Sequence, residues 1–206
     1  MMPEKTYTKK GMLIVLSGPS GTGKDTILKK IVSKDQALNL SVSATTRHPR
    51  EGETNGKDYH FMDEKTFLNM AKDGNFLEYV KYCGNYYGTP LSAIDGLLDK
   101  EEDVILEIEI DGGCQVKKRC PESVSIFVVP PSIDVLKQRI LNRGISNVNN
   151  MEDRLKTAEK ELKFAHKYDY IVVNDDLEKC VSNILSIINS ERMKSSRVKC
   201  ITNEVF

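Results

Sequence analysis

Apolar residues in this chain fall in short unbroken runs, separated by stretches where they recur at helical spacing. Met12-Leu13-Ile14-Val15-Leu16 is one such run, the pattern of a strand covered on both faces. Gly18 to Gly23 interrupts it, and Ile27, Leu28, Ile31 and Val32 follow three or four residues apart. The unit reads as strand, glycine-rich loop, helix. Further buried strands are predicted at Val104 to Ile110, Val124 to Val129 and Tyr170 to Val173, with helical patterns between them. A last helix carries Val181, Ile184, Leu185 and Ile188 on one face. Strands alternating with helices argue an α/β fold, a parallel sheet with helices on both sides.

Two stretches break this rhythm. From Ser41 to Pro90 Gly, Asn, Tyr and charged residues dominate, with a short strand-like Tyr59-His60-Phe61 and one helix near Glu64 to Lys72. Residues 132–167 form a second insertion. There Ile133, Leu136 and Ile140 mark one helix, Gly144 to Asn150 is turn-like, and Met151, Leu155, Ala158 and Leu162 mark another. The expected organisation is a three-layer core of residues 1–40, 91–131 and 168–206, interrupted by lobes at 41–90 and 132–167. Residues 1–10 look like a polar arm, and the pattern does not place the stretch from Glu191 to Phe206.

Composition narrows the functional classes. A chain of 206 residues with 39% apolar content suits one compact domain. Thirty basic and thirty acidic residues cancel, which argues against a general nucleic-acid or acidic-membrane binder. Any anion site must be local. Cys83, Cys114, Cys120, Cys180 and Cys200 are odd in number and never spaced C-x-x-C, so reduced thiols and a cytoplasmic location are expected. His48, His60 and His166 lie too far apart to suggest a zinc site.

The local anion site has a clear candidate. Gly18-Pro19-Ser20-Gly21-Thr22-Gly23-Lys24 satisfies G-x-x-x-x-G-K between a strand and a helix. Such a loop turns its N–H groups inward around phosphate oxygens, and the helix N-terminus adds partial positive charge. Lys24 would reach the β- and γ-phosphates. The strict motif then has Ser or Thr, whose hydroxyl helps hold Mg²⁺. Here Asp25 stands in that place and Thr26 follows, so Thr26 is the candidate for the metal role. Asp25 could instead face solvent in the first helical turn, where a carboxylate is favourable.

Ser41 to Glu53, Asn55-Gly56-Lys57-Asp58-Tyr59, Gly84-Asn85-Tyr86-Tyr87-Gly88, Pro130-Pro131-Ser132 and Val173-Asn174-Asp175-Asp176 stand in order beside the loop. With them the chain closely resembles the guanylate kinase family over roughly residues 12–190. The resemblance implies ATP and GMP, or dGMP, as substrates and Mg²⁺ as cofactor. It makes 41–90 the GMP-binding lobe and 132–167 a lid. Arg47, Arg50, Tyr59 and Tyr87 match positions that grip the GMP phosphate, for which guanidinium forks and phenols are suited. Glu78 matches the carboxylate that reads guanine N1 and N2, and Ser43 and Thr89 fall at hydroxyl positions. Buried hydrogen bonds of that kind reject a wrong base strongly. Taken singly, each has a plainer reading: Arg47 and Arg50 as surface charges, the tyrosines as packing, Glu78 as a charge facing water from a half-apolar strand.

The resemblance also places Glu109 facing GMP. Glu107 would hold Mg²⁺ through water, unless the two are simply charges at a strand end. Arg139, Arg143 and Arg154 match lid arginines that neutralise charge on the transferring group, and Asn174 a position contacting adenine. The chain departs from the family at Asp111-Gly112, where Gln-Gly is usual, and at Ile145 to Asn150, where an acidic stretch is usual. The rival readings are a non-catalytic module of the same fold, which would degrade the loop, and a kinase of a phosphorylated sugar, with little use for Ser43 beside Glu78. Oligomeric state is not legible.

Overall fold

The computed structural model describes residues 11–142 and 148–197, without the side chains at 142 and 148–154. The elements, in chain order, begin with β1 (Leu13–Ser17), α1 (Lys24–Lys34), β2 (Leu38–Leu40), β3 (Ala44–Thr45) and β4 (His60–Phe61). They continue with α2 (Glu64–Lys72), β5 (Phe76–Tyr82), β6 (Asn85–Pro90), α3 (Asp95–Leu98) and β7 (Asp103–Glu107). Then follow α4 (Ile110–Arg119), β8 (Val124–Val129), α5 (Ile133–Asn142), α6 (Val148–Leu162), β9 (Tyr170–Val173) and α7 (Leu177–Arg192).

Five strands form a parallel sheet in the order β2-β7-β1-β8-β9. Because successive side chains on a strand point to opposite faces, β1 feeds two cores. Ile14 and Leu16 pack with Ile27 and Ile31 of α1 and with Val181, Ile184 and Ile188 of α7. Leu13 and Val15 pack with Ile94, Val104, Leu106 and Val116 on the other side. That is the three-layer core expected from the unbroken apolar runs. α7 starts where Asp176 accepts a 2.8 Å hydrogen bond from the Lys179 N–H, satisfying one of the helix's free donors.

The stretch after Ser41 folds as a second, four-stranded sheet in the order β4-β3-β6-β5. β5 and β6 are an antiparallel hairpin turning at Cys83 (φ 48°) and Gly84 (φ 84°), two residues of positive φ as a tight hairpin turn requires. Under this sheet α2 inserts Phe67, stacked at 4.4 Å on Phe76 and 5.5 Å on Tyr86. α2 begins at Asp63, whose carboxylate accepts from the Thr66 N–H at 2.8 Å.

Three boundaries differ from the sequence reading. The strand expected over Val104 to Ile110 ends at Glu107, and Glu109 is the residue preceding α4. Glu107 and Glu109 therefore do not share a strand face; a strand end and a helix start bring them to one place. The turn expected over Gly144 to Asn150 is shorter, since Val148 already begins α6, while 144–147 lie outside the described residues. β6 is a full strand although its sequence is too polar to announce one. Among the described cysteines Cys83 is exposed, Cys180 buried, and all are free thiols; Cys200 lies outside the described residues.

Candidate active site

The cleft between the two sheets gathers candidate residues from both the core and the lobe. Lys24, Glu107, Ile108 and Glu109 line it from the core, and Ser43, Tyr59, Glu78 and Tyr87 from the lobe.

On the core side, β1 delivers the chain into the loop, and Gly23 (φ 87°) caps α1 in the left-handed region that an L side chain rarely adopts. The loop is held from within and behind. Thr22 Oγ1 donates to Pro19 O at 2.8 Å, and Asn174 Nδ2 donates to Thr22 O at 2.7 Å from a side chain only 6% exposed. Asn174 thus sits at the loop, and its side-chain nitrogen sets the loop's posture. Its backbone carbonyl accepts 3.0 Å from Arg139 Nη2. Arg139 Nη1, also buried, has no partner among the described residues, a spare guanidinium N–H beside the phosphate loop. Lys24 Nζ donates to Gly18 O at 2.7 Å, its ammonium folded over the loop. Arg143 lies outside the described residues, and Arg154 is on α6 with its side chain outside them.

Asp25 is exposed in the first turn of α1, as the sequence reading allowed, but it also reaches a neighbour. Its side chain hydrogen-bonds with Glu107, whose carboxyl is raised above the usual range by burial, against the pull of Lys24 and with Asp25 adding to the rise. Glu109 is raised for the same first reason, with Lys24 opposing and Asp111 adding. Thr26 is exposed one residue further along the first turn of α1. These groups supply oxygen donors only, the set that suits a hard divalent cation.

On the lobe side the geometry centres on Glu78. β5 carries a bulge between Phe76 and Glu78, and Phe76, Leu77 and Glu78 are all buried in succession. The bulge re-aims the strand, and α4 fixes it there. Arg119 Nη1 donates to Phe76 O at 2.7 Å, and Gln115 Nε2 donates to Tyr79 O at 2.9 Å. The Glu78 carboxylate, 2% exposed, accepts a 2.8 Å hydrogen bond from Thr89 Oγ1. Burial pushes it up to about 7, partly offset by Thr89. The plainer reading of Glu78 as a charge facing water is thereby excluded.

The expected phosphate grip is partly assembled. Tyr59 and Tyr87 meet edge to face at 6.1 Å, and the Arg47 guanidinium lies 5.4 Å from the Tyr59 ring centre. Burial, then Glu107, pushes the Tyr59 hydroxyl up to about 12, so it stays a hydrogen-bond donor at neutral pH. Arg47 is aimed by a residue the sequence reading passed over. Glu53 accepts from Arg47 Nη1 at 2.9 Å and Nη2 at 2.8 Å, a bidentate pair, and from the Arg50 N–H at 2.7 Å. Those contacts hold Glu53 below the usual carboxylate range. The Arg50 side chain is exposed, so the structure brings its backbone into the network and leaves its guanidinium at the rim. A second residue passed over is Glu161 of α6, whose carboxyl burial pushes up to about 7, with Glu109 adding to the rise and Lys24 opposing it. A lone Glu in a helix rich in Glu and Lys gives no sequence signal.

A parallel sheet in this order, with a glycine-rich loop between β1 and α1 and an inserted lobe facing it, defines a P-loop phosphotransferase of the nucleotide kinase type. Comparison with known proteins narrows the class. A sequence model described as guanylate kinase matches residues 10–191. The chain is 46% identical to a guanylate kinase of Clostridioides difficile (strain 630), over 97% of this chain and 98% of that one. It is 48% identical to one of Clostridium tetani (strain Massachusetts / E88), over 93% and 91%. A crystal structure of guanylate kinase from Anaplasma phagocytophilum superposes with a TM-score of 0.78 at 33% identity, covering 94% of this chain and 92% of that chain. The chain belongs to the guanylate kinase family. No helix among the described residues is long and apolar enough to cross a membrane.

Proposed function

We propose that this chain transfers the γ-phosphoryl group of ATP to the phosphate of GMP, giving ADP and GDP, and that dGMP is accepted as well. The observation that carries the reading is one cleft lined by both Lys24 and a buried, hydroxyl-bonded Glu78. Guanine presents N–H donors at N1 and N2, which a single carboxylate accepts together, whereas adenine offers no such pair. Burial strengthens the choice, because a mismatched base leaves Glu78 and Thr89 without a partner.

The chemistry requires positioning and charge stabilisation. A phosphate oxygen of GMP attacks the γ-phosphorus in line, the bond from phosphorus to the bridging oxygen breaks, and the electron pair leaves with ADP. Lys24 faces the charge that develops on the transferring group, joined by Arg139 with its spare N–H, and by Arg143 and Arg154 on the resemblance. Arg47, Tyr59 and Tyr87 orient the acceptor phosphate, with Arg50 at the rim. Ser43 lines the base pocket, and Glu109 faces the acceptor. Residues 41–90 then act as the GMP lobe and residues 132–167 as a lid whose closure excludes water.

Among the described residues no three acidic, His or Cys side chains gather into a metal site of their own, so Mg²⁺ would depend on nucleotide phosphates for most of its ligands. Thr26 and Glu107 would hold it, with Asp25 beside them, and a buried carboxyl already crowded by a second carboxyl gains from a cation. When bound, the ion would neutralise charge on the β- and γ-phosphate oxygens. A scaffold that only binds would have no use for Lys24 in this cleft. A coupled assay offering ATP with GMP, dGMP, AMP or UMP, with and without Mg²⁺, tests the reading. Turnover confined to GMP and dGMP and dependent on Mg²⁺ is expected; equal turnover with AMP, or none with any acceptor, would overturn it.

A further inference from the structure

The carboxylate proposed to read guanine sits on a strand of the lobe, yet that strand is gripped from the core. β5 is an edge of the four-stranded sheet, so peptide groups on its outer side have no strand partner and must find another. Side chains of α4 supply it. Arg119 Nη1 donates to Phe76 O at 2.7 Å and also to Leu77 O. Gln115 pairs with Tyr79 as one peptide group pairs with another: its Nε2 donates to Tyr79 O at 2.9 Å, and its Oε1 accepts from the Tyr79 N–H at 3.4 Å. These contacts bracket Glu78 on both sides in sequence.

Gly112, Gln115 and Arg119 follow one another at three and four residues, so all three lie on one side of α4. The Glu78 carboxylate rests against Gly112. Beside them Val116 is buried with Leu13 and Val15 of β1 and Leu106 of β7, which anchors the helix in the core. β1 runs on into the phosphate loop, and Glu109, just before α4, lines the cleft with Lys24. The clamp therefore ties the place of Glu78 to the frame that carries Lys24. We infer that Gln115 and Arg119 are positioning residues for base selection: they fix β5 so that the Glu78 carboxylate meets guanine N1 and N2 at hydrogen-bonding distance. The inference rests on the reading of Glu78 as the group that recognises the base. Such recognition needs placement, since a shift of about 1 Å costs on the order of a hundredfold in a well-fitted site. Arg119 makes charge-assisted bonds to two carbonyls, so its loss frees the strand more than loss of Gln115. Tyr79 is 42% exposed, and its peptide groups can turn to water.

The test is a mutant cycle on the full chain. Values of kcat/KM for GMP and for AMP are measured in wild type, Glu78→Gln, Arg119→Ala, Gln115→Ala and the two double variants with Glu78→Gln. Arg119→Ala should lower the GMP-to-AMP ratio about tenfold and Gln115→Ala about threefold. Both losses should fall on the KM for GMP, with the KM for ATP unchanged. Combined with Glu78→Gln, neither substitution should lower the ratio further, because both act through that carboxylate. Arg119→Lys keeps a charged donor near the same carbonyls and should recover part of the lost selectivity. A merely structural role would lower stability and turnover with both acceptors alike and leave the ratio where it was. An unchanged ratio in both single variants, or an equal further loss in the double variants, overturns the inference. Arg119 is exposed, so its variant should fold; should it not, Gln115→Ala and its double variant decide by the same criteria. If Glu78→Gln itself leaves the wild-type ratio unchanged, the assignment of Glu78 falls and this inference with it.

Discussion

Gly112, in the first turn of α4, lies directly against the Glu78 carboxylate, and a β-carbon built on it would stand 2.3 Å from Glu78 Oε2. This buried carboxylate of the lobe is therefore seated against a core helix where any side chain would collide with it. Real atoms do not approach so closely, so Gly112→Ala must push Glu78 aside. We expect the KM for GMP to rise about tenfold, the loss of one well-placed hydrogen bond to a charged group, with the KM for ATP unchanged. Steady-state kinetics with each substrate varied in turn checks this.

Glu78 should also leave a mark on stability. Its folded-state pKa is raised from 4.5 to about 7, so the folded protein binds a proton that the unfolded chain has released. Stability from this group is greatest below about pH 4.5 and falls as pH rises towards 7. Removing the charge should reverse that fall. Glu78→Gln is expected to be more stable than wild type at pH 8, by on the order of 3 kcal/mol, with the difference vanishing near pH 4. Thermal melts across that range check the sign.

How much of this could be read from residues alone depended on what each element had to satisfy. β8 and β9 match their predicted limits, because apolar runs bounded by polar and turn residues leave the chain few options. α2 does too, with Asp63 as its cap. β6 was hidden because Asn85-Tyr86-Tyr87-Gly88 owes its strand conformation to pairing with β5 and β3, a tertiary effect. Glu78 stands in the half-apolar stretch Phe76-Leu77-Glu78-Tyr79-Val80, where a charge could merely face water, and its neighbours Thr89 and Gly112 are brought to it only by the fold. Glu53 acts through a fold of the chain that brings it to Arg47, and no local pattern reports such a meeting. The chemistry of the loop was legible because its glycines and lysine are adjacent in sequence.

Lys24 opens α1 and overhangs the loop, whereas the residues proposed to grip GMP come mainly from the lobe. Lys24→Met should lower kcat by at least about a hundredfold, as loss of a charge-stabilising group does, while GMP still binds. Single-turnover transfer and GMP titration on the same preparation separate the two effects. Near-normal turnover would remove Lys24 from the mechanism.

Asn174 holds Thr22 O with its side chain and Arg139 with its backbone. Asn174→Ala removes only the first contact, leaving a buried carbonyl without its donor. ATP binding should weaken by about fivefold to thirtyfold, the cost of roughly 1–2 kcal/mol for an unsatisfied buried group, with GMP affinity unchanged. Paired equilibrium titrations with ATP and GMP show which substrate feels the change.

The most direct measurement compares kcat/KM for GMP with kcat/KM for AMP, in wild type and in Glu78→Gln. A preference for GMP of at least about a thousandfold is expected in wild type, collapsing by about a hundredfold or more when the carboxylate becomes an amide. An identical ratio in the two proteins, or no preference to begin with, would contradict the assignment of this buried acid as the reader of the base.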